Sequence, residues 1–311
     1  MPSFNAVVKP DLAGEFRLDR YVSEELRLLP RSQIKSRFRE AKINGKSVKL
    51  SRLVRPGDLL EISWAEREDE ALIPEDIPLD IVYEDDRVVV VNKVQGMVVH
   101  PGAGNHRGTL ANALLQRRLS RQKELPPAEN LRTGIVHRLD KDTSGLIIAA
   151  WDDEALAFLA GEFKARRVRK TYAAIVAGIP EKKSGVIQTR LCRDNRDRKR
   201  FMVSPDRGKQ ALSLYRVARS WKTHSLLLLR PRTGRTHQLR VHLRHLGFPV
   251  SGDPIYGLKD SLFPDSTLML HSRTLSIRLP GGAEARRFDA PLPERFRRMI
   301  AVLVKREKNN Y

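Results

Sequence analysis

The chain of 311 residues carries 58 lysines and arginines against 37 aspartates and glutamates, which gives a formal net charge of +21 at pH 7. Hydrophobic residues make up 41% of the chain and charged residues 31%, a composition that is typical of globular proteins and excludes a largely disordered one. So large a positive charge favours a polyanionic partner, above all nucleic acid, over a basic surface that serves only solubility.

The sequence offers no feature of a secreted or membrane protein. Cys192 is the only cysteine, which excludes an intrachain disulfide and a cysteine-cluster zinc site. Residues 1–18 alternate polar and apolar side chains and lack the continuous apolar core of a signal peptide. The most apolar runs, such as 145–151 and 226–229, have the length of strands rather than of membrane spans. We therefore predict a cytoplasmic protein without a membrane partner.

Residues 17–64 are predicted to form a small module of two helices followed by a β-layer. The first helix covers 18–28, and the second begins after Ser32, a suitable N-cap, and runs to residue 42. Asn44-Gly45 then supplies a tight turn, before a strand at 59–63. The second helix is strongly basic, and the residues predicted to bind RNA on it are Arg31, Lys35, Arg37, Arg39 and Lys42.

An acidic stretch at 65–76 is predicted to be an extended linker, so we place domain boundaries at 1–64, 65–76 and 77–311. Short apolar runs outnumber helical stretches beyond it. The predicted strands are 81–83, 88–91, 146–150, 172–176 and 225–229, and the predicted helices are 153–165, 237–246 and 293–305. Because strands and helices do not alternate regularly, the pattern favours an α+β domain with a mixed, mostly antiparallel sheet.

The segment 134–145 is a polar, charge-rich loop that leads into the predicted strand at 146–150. Such a loop can present a carboxylate beside guanidinium and ammonium groups, which favour its charged form. The residue types alone leave two interpretations open. Either a carboxylate here is catalytic, or Asp142, Thr143 and Ser144 simply close a turn.

The sequence His-Arg-Leu-Asp-Lys-Asp-Thr-Ser-Gly at 137–145 resembles the signature of the RluA/RluD family of RNA pseudouridine synthases. Further stretches that resemble the family occur in family order at 91–93, 98–102, 169–172 and 232–240. Residues 17–58 resemble the S4 (α-L) domain, an RNA-binding module, and the whole resemblance covers about 17–300. It implies the pseudouridine synthase fold and an isomerase that converts specific uridines of RNA to pseudouridine.

The resemblance also implies roles for individual residues. Asp140 corresponds to the catalytic carboxylate, and Arg138 in the same loop is expected to help displace and replace the flipped base. Tyr172 is expected to stack against the target uracil, although on sequence alone a tyrosine that fills the core fits equally well. Arg235 is expected to bind the substrate and to pair with Asp140.

Arg235 is predicted to precede a helix that Thr236 caps and that ends at Gly247. Two departures from the family pattern occur elsewhere. Val94 replaces a proline, and Trp151-Asp152 replaces a small residue and a lysine. Neither is at a catalytic position, so we expect them to affect local loop shape or RNA contacts.

The implied reaction breaks the glycosidic C–N bond and rejoins the base through carbon, with no net redox change, so no cofactor and no metal are expected. A carboxylate can stabilise or trap the positive character that develops at the sugar. Attack on C1′, removal of a C2′ proton and attachment to the base remain open as routes. The histidines at 237, 242 and 245 lack the spacing of a metalloprotease helix, and the glycines at 102–108 lack that of a P-loop or dinucleotide site.

A second basic segment lies at 190–200, where Arg193, Arg196 and Arg198 are predicted to contact phosphates. The implied substrate is large-subunit (23S) ribosomal RNA, free or in a pre-ribosomal particle, and the enzyme is expected to be a monomer. Three alternatives stay open: a transfer-RNA pseudouridine synthase, a non-catalytic RNA-binding or ribosome-assembly protein and, more remotely, a metal-dependent hydrolase.

Overall fold

The structure is a computed structural model. It describes residues 3–10, 16–29, 34, 37–65, 72–102, 104–121, 133–197 and 199–308. The chain divides into two compact units, Met1–Ala71 and Leu72–Tyr311. Within the described ranges, none of the helices combines the length and the apolar character needed to span a bilayer. Residues 66–71 lie outside the described part, so the linker at 65–76 stays a prediction.

The Met1–Ala71 unit contains a four-stranded antiparallel sheet, a strand pair and a short helical stretch. The sheet runs β1 (Ser3–Val7), β6 (Leu59–Trp64), β3 (Phe38–Ile43), β4 (Lys46–Ser47), and the pair is β2 (Phe16–Arg17) with β5 (Leu53–Val54). Helix α1 (Leu18–Arg20) continues into a π-helical turn at Tyr21–Glu25. Leu18, Tyr21 and Leu60 are fully buried and form the centre of the core of this unit.

The predicted second helix is wrong over 38–42, because Phe38–Ile43 is a strand. Ala41 pairs with Ile62 of β6, and Asn44 and Gly45 have φ values of 52° and 77°. Two positive φ values in a two-residue loop suit a β-hairpin, so strand pairing prevailed over the helical spacing of the apolar residues. The predicted first helix, 18–28, is helical only to Glu25. Residues 30–33 and 35–36 lie outside the described part.

The Leu72–Tyr311 unit is built on one ten-stranded sheet. The strands are β7 (Ile81–Glu84), β8 (Val88–Lys93), β9 (Ser144–Ala150), β10 (Arg169–Ala177), β11 (Ser184–Arg193), β12 (Phe201–Ser204), β13 (Lys209–Ser220), β14 (His224–Pro231), β15 (Leu270–Arg278) and β16 (Ala285–Asp289). Their order in the sheet is β12-β11-β13-β14-β10-β15-β9-β8-β7, with β16 paired to β15. The pair β15 and β9 is parallel, and the other pairs are antiparallel. The α+β prediction with a mixed, mostly antiparallel sheet is confirmed.

Helices cover both faces of this sheet. They are α2 (Leu110–Arg121), α3 (Asp153–Lys164), α4 (Gln238–His245) and α5 (Glu294–Lys308). One core cluster contains Val89, Leu114 of α2 and Phe296 of α5, and another contains Val88 and Leu159 of α3. Successive residues of β8 are therefore buried on opposite faces, which explains its continuous apolar run. The helices at 153–165, 237–246 and 293–305 are confirmed, whereas α2 was not predicted.

Two buried histidines should make this unit sensitive to mild acid. Burial lowers the pKa of His242 and of His271 to about 4, whereas a histidine in the unfolded chain has a pKa of about 6.5. As the pH falls below about 6.5 the unfolded state takes up protons first, so stability that is complete above this pH is lost on the way to about 4. We expect each of the two histidines to lower the free energy of unfolding by roughly 2 kcal/mol at about pH 5, relative to neutral pH.

The measurement is the free energy of unfolding in urea at about pH 7 and about pH 5. His271→Gln should flatten the pH dependence, and His106→Gln, at an exposed position of the same unit, should not. An unchanged slope in His271→Gln would show that this histidine carries no such penalty.

Candidate active site

A cleft of about 110 Å³ that is open to solvent lies in the Leu72–Tyr311 unit. Its walls come from the loop before β9, from β10, from the turn after β14 and from the start of α4. All four residues predicted to act on the substrate line it: Arg138, Asp140, Tyr172 and Arg235. The fold thus gathers residues from three distant sequence motifs around one cavity.

The loop that carries Asp140 is fixed at the point where it enters β9. The backbone N–H of Thr143 donates to the carbonyl of Asp140 at 3.1 Å, so a turn over 140–143 includes the candidate carboxylate, whereas Ser144 already belongs to β9. Gly145 has φ 109°, and a Cβ there would lie 2.3 Å from the carbonyl oxygen of Ser272 on β15. Only glycine allows this close approach of the two parallel strands, which sets where the loop ends.

Arg240 is the cation beside Asp140. Its Nη1 lies 3.5 Å from Asp140 Oδ2, and the Asp140 side chain is 19% exposed. Nε and Nη2 of Arg240 donate to the two oxygens of Asp253 at 2.7 and 2.6 Å, and both partners are buried. Burial alone would raise the pKa of Asp253, but the Arg240 guanidinium and the N–H groups of Ile255 and Tyr256 outweigh it and hold that pKa below its usual value. Asp253 therefore stays charged and fixes Arg240 in position.

The predicted pairing of Arg235 with Asp140 is wrong, because Arg240 occupies that place. Arg235 lines the cleft, but its Nε donates to the carbonyl of Gln210 at 3.1 Å. The difference arises in the turn before α4, where His237 rather than Thr236 is the N-cap residue and has φ 55°. The side chain of Gln238 accepts the Arg235 N–H at 3.0 Å, which turns the chain before the helix begins.

The other end of α4 follows the prediction. Gly247 has φ 87°, and its N–H donates to the backbone carbonyl of Arg244. The N–H of Phe248 donates to the backbone carbonyl of Leu243. This is the Schellman arrangement expected for a glycine that ends a helix.

The role of Arg240 could have been recognised from its position in the sequence. It lies three residues before Leu243 on the buried side of α4, and a buried arginine requires a carboxylate partner.

Aromatic side chains also lie on or beside the cleft. Tyr172 on β10 is 7% exposed, and burial raises the pKa of its hydroxyl to about 12, so the group stays protonated at neutral pH. His237 Nε2 lies 4.0 Å from Asp140 Oδ2, and its Nδ1 shares a hydrogen bond of 2.8 Å with the hydroxyl of Tyr256. Burial lowers the pKa of His237, although the negative charge of Asp140 acts in the opposite direction. The lowered pKa favours a neutral ring. No role at this site was predicted for His237, Asp253 or Tyr256.

Known proteins resemble this chain over nearly its full length. Residues 87–245 match the family model of RNA pseudouridylate synthases. The chain is 43% identical over 300 residues to "Ribosomal large subunit pseudouridine synthase D" of Borreliella burgdorferi, covering 94% of this chain and 91% of that protein. It is 36% identical to the protein of the same name from Xanthomonas campestris pv. campestris, covering 97% and 93%. The chain belongs to the RNA pseudouridylate synthase family.

A solved structure agrees with this assignment. The structure titled "Human RNA Pseudouridylate Synthase Domain Containing 4" is similar with a TM-score of 0.56 at 26% identity, covering 72% of this chain and 92% of that one. The predicted family resemblance, the fold and the isomerase activity are thereby confirmed. The predicted S4 relationship of the first 64 residues stays a prediction.

The pseudouridine synthase holds the loop of Asp140 with a buried lysine. Lys93, at the end of β8, is 1% exposed, and its Nζ donates to the carbonyls of Val94, Met97 and Lys141 at 2.9, 2.9 and 3.0 Å. Burial lowers the pKa of Lys93 to about 8, while the carboxylates of Asp142 and Asp140 act in the opposite direction. At neutral pH it is therefore mostly an ammonium group with three N–H donors for three carbonyls.

We expect Lys93→Met to impair activity and stability together. Methionine fills a similar volume but donates to none of the three carbonyls, each of which then costs about 1–3 kcal/mol unless water reaches it. A loop displaced by even a fraction of an ångström at Asp140 should slow single-turnover product formation by roughly 10- to 100-fold. Lys141→Ala is the control, because only its backbone carbonyl takes part. Full activity of Lys93→Met at a temperature where it is folded would contradict this role.

The predicted RNA-binding residues of the first unit lie partly in the described chain. Arg37 is partly buried, with Nε on the carbonyl of Ala65 at 3.1 Å. Arg39 is exposed on β3, and Lys42 lies 3.9 Å from Glu40. Arg31 and Lys35 lie outside the described residues. RNA binding by this set stays a prediction.

In the second basic segment, Arg193 ends β11 with its guanidinium 5.5 Å from the Phe201 ring, and Arg196 lies in an exposed turn closed by Asp194. Arg198 lies outside the described residues.

The two departures from the family pattern have local explanations. Val94 is 53% exposed, and Asp152 caps α3 by accepting the Ala155 N–H at 2.7 Å. Asp152 thus shapes the helix start rather than the site.

Proposed function

We propose that this pseudouridine synthase modifies uridines of large-subunit (23S) ribosomal RNA, with Asp140 as the catalytic carboxylate. The observation that carries the proposal is the placement of Asp140, a partly exposed carboxylate in a cleft, beside a guanidinium that a buried aspartate fixes. The fixed guanidinium holds Asp140 in position before the reaction begins, which lowers the cost of orienting the carboxylate toward the sugar. The ribosomal substrate is proposed from the relatives named ribosomal large subunit pseudouridine synthase D.

The target uridine must leave its stack to reach this cleft, at a cost of a few kcal/mol that is lower in a loop or single strand. We propose that the exposed Arg138 replaces the departing base and that the ring of Tyr172 packs against the uracil. Arg235, on the cleft wall, is proposed to contact the substrate rather than Asp140.

The chemical balance of the reaction involves one bond exchange and one proton. The C1′–N1 bond breaks, the C1′–C5 bond forms, and the proton on C5 is lost while N1 gains one. Asp140 is proposed to stabilise or trap the sugar at C1′, as carboxylates do in glycoside hydrolysis. The hydroxyl of Tyr172, with a pKa of about 12, is neutral and acts here by contact rather than by charge.

The proposed substrate is tested by incubating purified enzyme with 23S, 16S and transfer RNA transcripts and mapping pseudouridine in each. We expect product at a small number of positions in 23S RNA. Product in transfer RNA alone would overturn the choice of substrate but not the activity. Mapping the same positions in cells with and without the gene would then test the cytoplasmic ribosomal role, and light scattering would test the proposed monomer.

We also propose that the Met1–Ala71 unit binds RNA. Beyond the residues predicted there, four exposed cations line one cavity of this unit: Lys46, Lys49, Arg52 and Arg55. Phosphate contacts provide salt-dependent affinity and position the substrate. We expect K49Q/R52Q/R55Q to weaken RNA binding and flatten its salt dependence, with little change in the single-turnover rate at saturating enzyme. Unchanged affinity and salt dependence would show that this face does not bind RNA.

A further inference from the structure

A second groove adjoins the active-site cleft. The two share lining residues that include Arg138, Lys170 and Arg235, so they lie next to one another. The far side of the groove is formed by the end of α3 with Lys164, by the following turn with Arg166, and by Arg232 after β14. The proposed reaction takes place in the cleft and requires nothing of this neighbouring groove.

The groove is lined by positive charges and by no carboxylate. Its six cations are Arg138, Lys164, Arg166, Lys170, Arg232 and Arg235. In the described chain none of the six has an ion-pair partner, whereas Arg167, next to Arg166, pairs with Glu162 at 2.6 Å. Charges of one sign in a concave surface concentrate the electrostatic potential and attract an anion.

The backbone and the ring contacts hold two of these cations in place. Arg166 has φ 57°, a left-handed conformation that is unfavourable for a residue other than glycine. Its N–H donates to the carbonyl of Phe163 at 3.1 Å, which stabilises this turn after α3. Nζ of Lys170 lies 5.4 Å from the centre of the Phe163 ring. The helix dipole accounts for a cation at Lys164, but not for those on other elements.

The groove suits phosphates better than bases. The two aromatic rings on its wall, Phe163 and His137, are stacked on each other at 4.7 Å, and Lys170 lies over the Phe163 ring. Binding of unstacked bases requires accessible aromatic faces, whereas lysine and arginine bind phosphate oxygens directly. The chemistry of the wall therefore favours the RNA backbone.

We propose that this groove binds the phosphates of the nucleotides on one side of the flipped uridine. The proposal rests on the proposed function only in that the adjoining cleft holds the uridine. Lys164, Arg166 and Arg232 lie on the groove wall but not on the cleft wall, so they can be changed without altering the catalytic machinery. They act as substrate-positioning residues that draw the strand across the mouth of the cleft.

The test compares K164Q/R166Q/R232Q with a control of equal charge change, K182Q/K183Q/K222Q, at exposed positions outside both cavities. Binding of a 23S RNA fragment is measured across a salt series in an Asp140→Asn background, so that no turnover intervenes. We expect the groove variant to lose about tenfold in affinity, and its slope of log affinity against log salt to flatten by up to about 2, as expected for three contacts to single-stranded RNA. The control should lose much less.

The location is tested with fragments that carry one neutral methylphosphonate linkage at a time. Neutral linkages on one side of the target should weaken binding to the protein with an intact groove and have no further effect on the groove variant. Equal affinity of groove and control variants, or equal sensitivity to those linkages, would overturn the proposal. Because affinity is read without turnover, failure of the wild type to form pseudouridine would count against the proposed function alone.

Discussion

Asp140→Asn is expected to abolish pseudouridine formation, with a loss of at least about 10⁴-fold in kcat/KM. The amide has nearly the shape of the carboxylate but can neither bond to the sugar nor stabilise a positive charge there. Folding should change little, because Arg240 keeps its two hydrogen bonds to Asp253 and is not left as an unpaired buried charge. Single-turnover kinetics at saturating enzyme, with pseudouridine quantified in the RNA, provide the measurement.

The control for this experiment is Asp142→Asn. Asp142 belongs to the same loop and has the same charge, but it is not on the wall of the cleft. It should retain activity within about tenfold, since it has no role at the reacting atoms. Product formation by Asp140→Asn at a rate near that of Asp142→Asn would contradict the assignment of the catalytic carboxylate.

The sequence predicted the main features of the sheet because its strands are continuous apolar runs. The runs at 88–91 and 146–150 became β8 and β9, which are buried on both faces. The helix predicted at 32–42 failed over its second half because β6, more than fifteen residues further along the chain, offered strand pairing. The local spacing of apolar residues carries no information about a strand partner that lies so far along the chain.

Site residues that belong to a sequence motif could be predicted. Residues that reach the site only through tertiary packing were harder to predict. Asp140, Arg138 and Tyr172 were found by motif and do line one cleft. The identity of the arginine beside Asp140 depends on one unusual backbone conformation, at His237, which shifts the start of α4. Asp253 could not be connected with Arg240 from spacing, since a buried ion pair is defined by three-dimensional contact alone.

The pair of Arg240 and Asp253 is expected to serve both stability and catalysis, and substitutions can separate the two. Arg240→Met leaves Asp253 buried without its cation, whereas Asp253→Asn leaves Arg240 with Asp140, 3.5 Å away, as an ion-pair partner. Arg240→Met should destabilise the protein by about 3–5 kcal/mol, the usual effect of removing one partner of a buried pair, and Asp253→Asn should destabilise it less. Each should also lower the saturating single-turnover rate by at least roughly 100-fold, because Asp140 loses a fixed guanidinium.

The double variant Arg240→Met/Asp253→Asn distinguishes these effects. It removes both charges of the buried pair, and the asparagine oxygen can still accept the N–H groups of Ile255 and Tyr256. Stability should therefore recover to within about 1–2 kcal/mol of wild type, whereas the rate should stay as low as in Arg240→Met. Unfolding in urea and single-turnover kinetics on the four proteins complete the cycle. If activity recovers together with stability, Arg240 only maintains the fold, and the charge beside Asp140 contributes nothing to the chemical step.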